Sequence, residues 1–358
     1  MTAVVASARV SPRAVGWVGV GIGCLLAVRL LIPAGWDASV FLALGDESVT
    51  QTEFARARLG EVVTRDLQGH DGKFFFIQAL DPLYLEPDEY AVFLDRPRYR
   101  AQRMLFPFVA GLGGLVPAGF VPWAMALTSV VALGVGTWAT AEISRRLGGS
   151  AWLGLAFALN LGVVSELFIG GAGILAFALA PVSVVELERD RLGRAAAALT
   201  AAALTREVML LFAFGVGIAL WRRFGARRAV PVVVAPLVAV GAWWLYLAVR
   251  LGGMAATPAI QEIDLRFPFA GMVEAAGRWS DAPLDLVFGT VMVMVLAWFV
   301  VRAFRRETYL GWGALGFVAL GALLSAQVWG RYFDISRALA PVLTAYVVLL
   351  FVPAAGEP

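Results

Sequence analysis

The sequence predicts an all-α, polytopic membrane protein, on three observations. Hydrophobic residues make up 60% of the 358-residue chain and charged residues 15%, against about 45–50% and 25% in soluble domains. Apolar runs of roughly twenty residues recur along its whole length, each long enough to cross a bilayer as a helix; a β-barrel would show short alternating segments instead. Arginines gather between those runs, the pattern carried by cytoplasmic loops.

The first run, Val15 to Ile32, follows Arg9 and Arg13 and is succeeded by Pro33, Ala34, Gly35, Trp36 and Asp37. No small-residue cleavage site is apparent there, so it reads as a retained helix rather than a signal peptide. It contains the single cysteine, Cys24, which excludes an intramolecular disulfide and a cysteine-based metal site. The chain has 28 arginines against one lysine, which we read as GC-rich codon usage. The net charge of +3 suits basic membrane loops and gives no reason to expect nucleic-acid binding.

Arg9 and Arg13, Arg145 and Arg146, Arg189, Arg191 and Arg194, the four arginines of 222–228, and Arg302, Arg305 and Arg306 mark the cytoplasmic side. The N-terminus is then cytoplasmic, and residues 33–103 form a long first extracytoplasmic loop. From Asp37 to Asp95 it holds twelve acidic and four basic residues. A structureless loop of that length is unusual, so it is expected to be folded and functional.

Met104 to Val116 has 13 residues, roughly 20 Å as a helix and short of a core of about 30 Å. It is expected to be re-entrant or surface-lying, with Trp123 to Ala141 as the span. Trp152 to Val185 is bracketed by basic loops and reads as a hairpin turning near Ser165-Glu166 and Gly170-Gly171. Ala195 to Leu220 reads as two half-helices meeting at Thr205-Arg206-Glu207. Val230–Val249, Leu284–Val301, Tyr309–Gln327 and Ala338–Phe351 complete a single transmembrane domain, 1–358, of about ten membrane helices, with 251–283 and 328–337 outside.

The remaining charged groups then fall on one side. Arg206 and Glu207 lie inside apolar sequence, and such groups in a bilayer usually face a cavity or pathway. Arg100 and Arg103, with Gln102 between them, stand where the short helix starts. Arg331, Asp334 and Arg337 lie in a short outer loop. Arginine matches phosphate with paired donors, although snorkelling anchors are the plainer reading for Arg96 and Arg98.

The only histidine and the only lysine flank a carboxylate in His70-Asp71-Gly72-Lys73. Asp71 is a candidate general base for a hydroxyl nucleophile, with Asp46 of the Asp46-Glu47 pair as rival. The competing roles for Asp71 are a helix N-cap and a solvated loop residue. His70 can orient or tune the carboxylate and Lys73 can bind phosphate as a point charge. No His/Cys cluster indicates a metal site; a hard divalent ion, Mg or Mn, held by Asp46, Glu47 and Asp71 is the remaining cofactor reading.

Several blocks resemble the GT-C superfamily of integral-membrane glycosyltransferases, in a bacterial branch linked to cell-surface glycopolymers and related to lipid-linked mannosyltransferases. They are Gly69-His70-Asp71-Gly72-Lys73-Phe74-Phe75, Ala79-Leu80-Asp81-Pro82, Asp95 with Arg98 to Pro107, Leu204-Thr205-Arg206-Glu207 and Ser336 to Pro341, spanning 69–341 in order. His70 and Lys73 depart from that branch, which more often has Tyr and Gln there. The resemblance implies a polyprenyl-phosphate-linked sugar donor, a catalytic acid in the first outer loop, and a glycan or glycolipid acceptor. It places a multi-pass protein in the bacterial plasma membrane with its active site extracytoplasmic. Asp71, or failing that Asp46, would activate the acceptor for inverting transfer, with Arg100, Arg103, Arg206 and Arg337 on the donor phosphate. The donor's tail is expected to leave beside Met104–Val116. A transporter or lipid flippase is the alternative from the same intramembrane charges.

Overall fold

The computed structural model describes residues 10–254, 265–279 and 282–352; Arg9 and part of the 251–283 segment lie outside the described residues. Apart from a two-residue parallel pairing of Leu44–Gly45 with Thr64–Arg65, its regular elements are helical. This is a helical membrane protein. Four helices are long and apolar enough to cross a bilayer: Pro12–Leu31, Ala118–Arg146, Ala226–Arg250 and Pro283–Arg306. Two bent pairs, Ala151–Ala158 with Leu161–Phe168 and Tyr332–Ala338 with Ala340–Phe351, raise the number to six. The expected count of about ten includes short and re-entrant helices, and the other apolar helices among the described residues are short. Leu192–Thr205, at 14 residues, spans only about 21 Å at 1.5 Å per residue.

Local sequence explains where these helices start and stop. Ser11 caps Pro12–Leu31 by accepting from the Ala14 N–H, and Pro12 occupies a first-turn position where its missing donor costs nothing. Helix Leu192–Thr205 ends because Arg206 is extended, and the chain re-enters helix through Glu207–Met209 into Leu210–Phe224. The interruption expected at Thr205-Arg206-Glu207 therefore exists, and it leaves two charged side chains at helix ends.

Two sequence expectations need adjustment. The turn of the 152–185 hairpin lies at 169–172, at the expected Gly170-Gly171 with Gly170 at φ +64°, while Ser165 and Glu166, also expected there, belong to helix Leu161–Phe168. The short segment after Met104 is α-helical only over Leu105–Ala110, and it packs on helix Gly72–Leu80 within one apolar cluster through Phe75 and Phe106.

Segment 33–103 is folded onto the end of the bundle. Its apolar residues, among them Phe54, Phe74, Phe76 and Leu94, bury together with Trp243 and Leu247 of helix Ala226–Arg250. The end of that helix fastens the segment further. The Trp243 indole donates to the Ala101 carbonyl at 2.8 Å, the Tyr246 hydroxyl to Leu83 at 2.6 Å, and the Arg250 guanidinium to Tyr84 and Leu85. Each of these bonds satisfies a loop carbonyl that would otherwise be left near apolar surroundings.

Glycines set the two close approaches that matter. Gly69 has φ +65°, and a Cβ there would sit 2.2 Å from the Ala43 carbonyl oxygen. His70 N–H donates to that same oxygen, and Gly72 N–H donates to Ile169 O, so Asp71 is held from both sides. Gly162 lets helix Leu161–Phe168 rest directly on Tyr332–Ala338, since a Cβ there would come within 2.0 Å of Ser336 O.

Gly69→Ala combines a disfavoured backbone conformation with a backbone collision. We expect a loss on the order of 2–3 kcal/mol, seen as faster proteolysis of segment 33–103 in the purified protein. Gly21→Ala, whose Cβ would meet nothing within 4 Å, serves as the control and leaves the rate unchanged.

Candidate functional site

Charged side chains from four separated parts of the chain meet at the end of the bundle that carries segment 33–103. Helix Pro97–Arg100 and the residues after it bring Arg100 and Arg103, and the break before Glu207–Met209 brings Arg206 and Glu207. Helix Tyr332–Ala338 brings Asp334 and Arg337, and the residue preceding helix Gly72–Leu80 is Asp71. Together with Arg96 and Tyr99 they line a cavity of about 440 Å³, closed on another side by Leu320, Leu324 and Val328. That volume lies within the range of small-molecule sites. The lining holds five guanidiniums and three carboxylates, an excess of two positive charges suited to an anion.

Asp71 sits at the N-cap position of its helix, yet its side chain makes no capping bond. Instead Oδ1 accepts from Arg100 Nη1 at 2.8 Å, while Oδ2 lies 3.6 Å from Arg103 Nη1 and 3.7 Å from Arg337 Nη2. The geometry therefore rejects the capping role for this residue. Burial pushes the carboxyl pKa up, but Arg103, Arg100, Arg337 and Arg206 outweigh it and hold the pKa at about 2. Burial likewise disfavours the Arg103 charge, and Glu207, Tyr99 and Asp71 more than compensate, keeping it protonated.

A second carboxylate organises the arginines from behind. Glu166 is 1% exposed. Its Oε1 accepts from Arg337 Nε at 2.9 Å and from Arg206 Nη1 at 3.3 Å, and its Oε2 accepts from the Gly173 N–H. Cβ atoms on Gly171 or Gly173 would collide with this carboxylate, so the glycines make its berth. Asp95 holds Arg100 through two bonds of 2.8 Å, from Nε and Nη2. Arg103 donates to the Tyr99 hydroxyl at 3.0 Å, while its Nε, 3.6 Å from Glu207 Oε2, makes no hydrogen bond.

Glu166, Asp95 and Tyr99 were not among the expected site residues. Glu166 had a signal, as a lone carboxylate within the apolar run 152–185, but a glutamate in such a run names no partner. Asp95 had one too, standing directly before the arginine-rich run. Tyr99 had none.

Other expected site residues lie elsewhere. Asp46 and Glu47 are exposed on a turn whose N–H groups bond to Arg65 O and Leu67 O, and neither lines the cavity. Lys73 corrects the phosphate-ligand expectation. Its ammonium is buried and donates to Ser48 Oγ and the Gln68 carbonyl, because it lies on the inward face of its helix. Gln102 and Arg331 also lie outside the lining. His70 is exposed beside the cavity, its ring 6.1 Å from that of Phe333. Burial, then Arg337 and Arg65, lower its pKa, so the imidazole is neutral at pH 7. Among the described residues no three His, Cys, Asp or Glu side chains gather as a metal site would require, and Asp46, Glu47 and Asp71 do not form one.

A second, wholly different cavity draws on one of the same helices. It measures about 820 Å³ and is lined by apolar side chains and glycines of helices Leu210–Phe224, Pro283–Arg306 and Tyr309–Leu323, with Phe269, Met272 and Trp329. Helix Tyr309–Leu323 serves both spaces, giving Leu320 to the charged cavity and Val318, Ala319 and Ala322 to the apolar groove. Helix Leu105–Ala110, beside which the sequence places the exit of a donor tail, contributes nothing to this groove.

No protein-family model matches the chain, and neither a curated protein nor a solved structure does.

Glu166→Ala removes the counter-charge shared by two arginines. Breaking a buried pair typically costs about 3–5 kcal/mol, so thermal unfolding in detergent is expected to drop well below that of the wild type. Glu274→Ala, which breaks an exposed pair with Arg278, is expected to cost less than about 1 kcal/mol.

Proposed function

We propose that this protein is an inverting glycosyltransferase that takes its sugar from a polyprenyl-phosphate donor. The observation that carries the reading is that one helix, Tyr309–Leu323, helps to line two unlike cavities. One is ringed by arginines around a carboxylate, and the other is apolar and about 820 Å³ in volume. An amphiphile with an anionic head and a hydrocarbon tail suits that pair, and the resemblance of the Asp71, Arg100–Pro107, Leu204–Glu207 and Ser336–Pro341 blocks to GT-C enzymes points the same way.

In this reaction the acceptor hydroxyl oxygen attacks the anomeric carbon as the bond to the phosphate oxygen breaks. Asp71 receives the hydroxyl proton. The leaving polyprenyl phosphate gains one negative charge, which the guanidiniums of Arg100, Arg103, Arg206 and Arg337 stabilise without having to reorganise. The acceptor is a glycan or glycolipid of the cell envelope, and the arginine-rich loops support a site on the extracytoplasmic face of a bacterial plasma membrane. His70, beside Asp71 and facing outward, is the residue to vary for acceptor choice.

Lipid translocation is the alternative use of such a groove. A flippase has to move a charged headgroup through the membrane's depth, and the groove offers it only apolar side chains and glycines. That favours transfer over translocation.

Asp71→Asn keeps the side-chain shape and removes the base. We expect lipid-linked sugar transfer to fall at least about 100-fold; full retention of activity would refute the assignment. Filling the groove with Ala319→Trp is expected to raise the KM for long-chain polyprenyl donors several-fold and to leave short-chain donors little changed. An equal effect on both chain lengths would remove the groove from the proposal.

A further inference from the structure

Every nitrogen of the three arginines around Asp71 can be followed to its partner. In Arg100, Nε and Nη2 are engaged by Asp95, which leaves Nη1 for Asp71. In Arg103, Nη2 goes to Tyr99 and Nε faces Glu207, which leaves Nη1, 3.6 Å from Asp71. In Arg337, Nε goes to Glu166 and Nη1 faces Asp334 at 3.8 Å, which leaves Nη2, 3.7 Å from Asp71. The terminal nitrogens left over in this way are the three that face Asp71. Two of those contacts exceed hydrogen-bond length, so they are ion pairs that a better-placed oxyanion can displace.

We propose that Asp71 and the donor phosphate compete for these three guanidiniums, so that seating the phosphate releases the Asp71 carboxylate to act as base. The inference rests on the glycosyl-transfer reading and adds an order to it: donor first, acceptor second. While it is paired with arginine the carboxylate is a poor proton acceptor. Once phosphate oxygens take the arginine N–H groups, the carboxylate loses its partners and gains a negative neighbour, and both changes raise its proton affinity. By linkage the competition is reciprocal: Asp71 weakens phosphate binding by the factor with which phosphate weakens the hold on Asp71. Arg206, Glu166, His70 and Lys73 also act on this carboxylate electrostatically. Of these, the single histidine is the one whose ordinary titration falls near neutrality.

The test needs no acceptor. The probes are a polyprenyl methyl phosphodiester, whose single charge is constant above pH 3, and the matching polyprenol, bound to the full chain in nanodiscs. Asp71→Asn is expected to bind the phosphodiester at least tenfold more tightly than the wild type. Asp334→Asn, which removes the same charge from the same cavity, is expected to change affinity less than threefold. Equal or weaker binding by Asp71→Asn overturns the competition, as does equal tightening by Asp334→Asn. If neither the wild type nor Asp71→Asn prefers phosphodiester over polyprenol, the glycosyl-transfer reading itself fails, and the competition with it. Should Asp71→Asn not fold, His70→Gln protein, which lacks any histidine, gives the answer. Its phosphodiester affinity is expected to rise at least threefold from pH 7 to pH 5, as the released carboxylate takes up a proton. A flat profile overturns the proposal.

Discussion

Glu166 accepts hydrogen bonds from two guanidiniums that enter from sequence positions 40 and 171 residues away, and the charged end of this molecule is built outward from that point. A buried carboxylate is costly alone, and so are Arg206 and Arg337; together, and with Gly173 N–H as a further donor, they satisfy one another. Arg337 then reaches Asp71, Asp71 reaches Arg100 and Arg103, and those are held by Asp95 and Glu207. The network alternates in sign along its whole course. Like charges that would otherwise repel are kept close by the carboxylates between them.

Backbone proximity makes the network possible. Gly162 allows helix Leu161–Phe168 to lie on Tyr332–Ala338, which brings Glu166 within reach of Arg337. Gly69 allows the chain to pass against Ala43 and present Asp71 at the same level. The end of helix Ala226–Arg250 fixes the arginine-bearing stretch through Ala101. The site is therefore assembled by elements that are individually short, irregular or kinked. Such backbone is tolerated near membrane depth only where protein surrounds it or a cavity adjoins it, and here both conditions hold.

Under the proposed reaction, the charged cavity and the apolar groove would divide a single amphiphilic task between two solvents. Low dielectric strengthens the arginine field on an anion, while the groove would take a hydrocarbon tail at no polar cost. Helix Tyr309–Leu323 has almost no polar side chains, so it can face the groove along most of its length and still close the charged cavity with Leu320.

By itself the sequence determined the membrane class and the interruption at Arg206-Glu207, and it picked out Asp71, Arg100, Arg103 and Arg337, which the fold brings together. Each of these shows as a charge or a break against an apolar background, and that contrast is local. It could not rank Asp46 against Asp71, since both are loop carboxylates until the fold buries one among arginines and leaves the other in water. Lys73 looked like a ligand because it is unique in composition, but helical phase turned it inward to Ser48 and Gln68. Glu166 acquired its role only when two helices far apart in sequence came into backbone contact. Tertiary structure decided those matters because an ion pair is a property of distance, and distance between remote residues is not written in either one's neighbourhood.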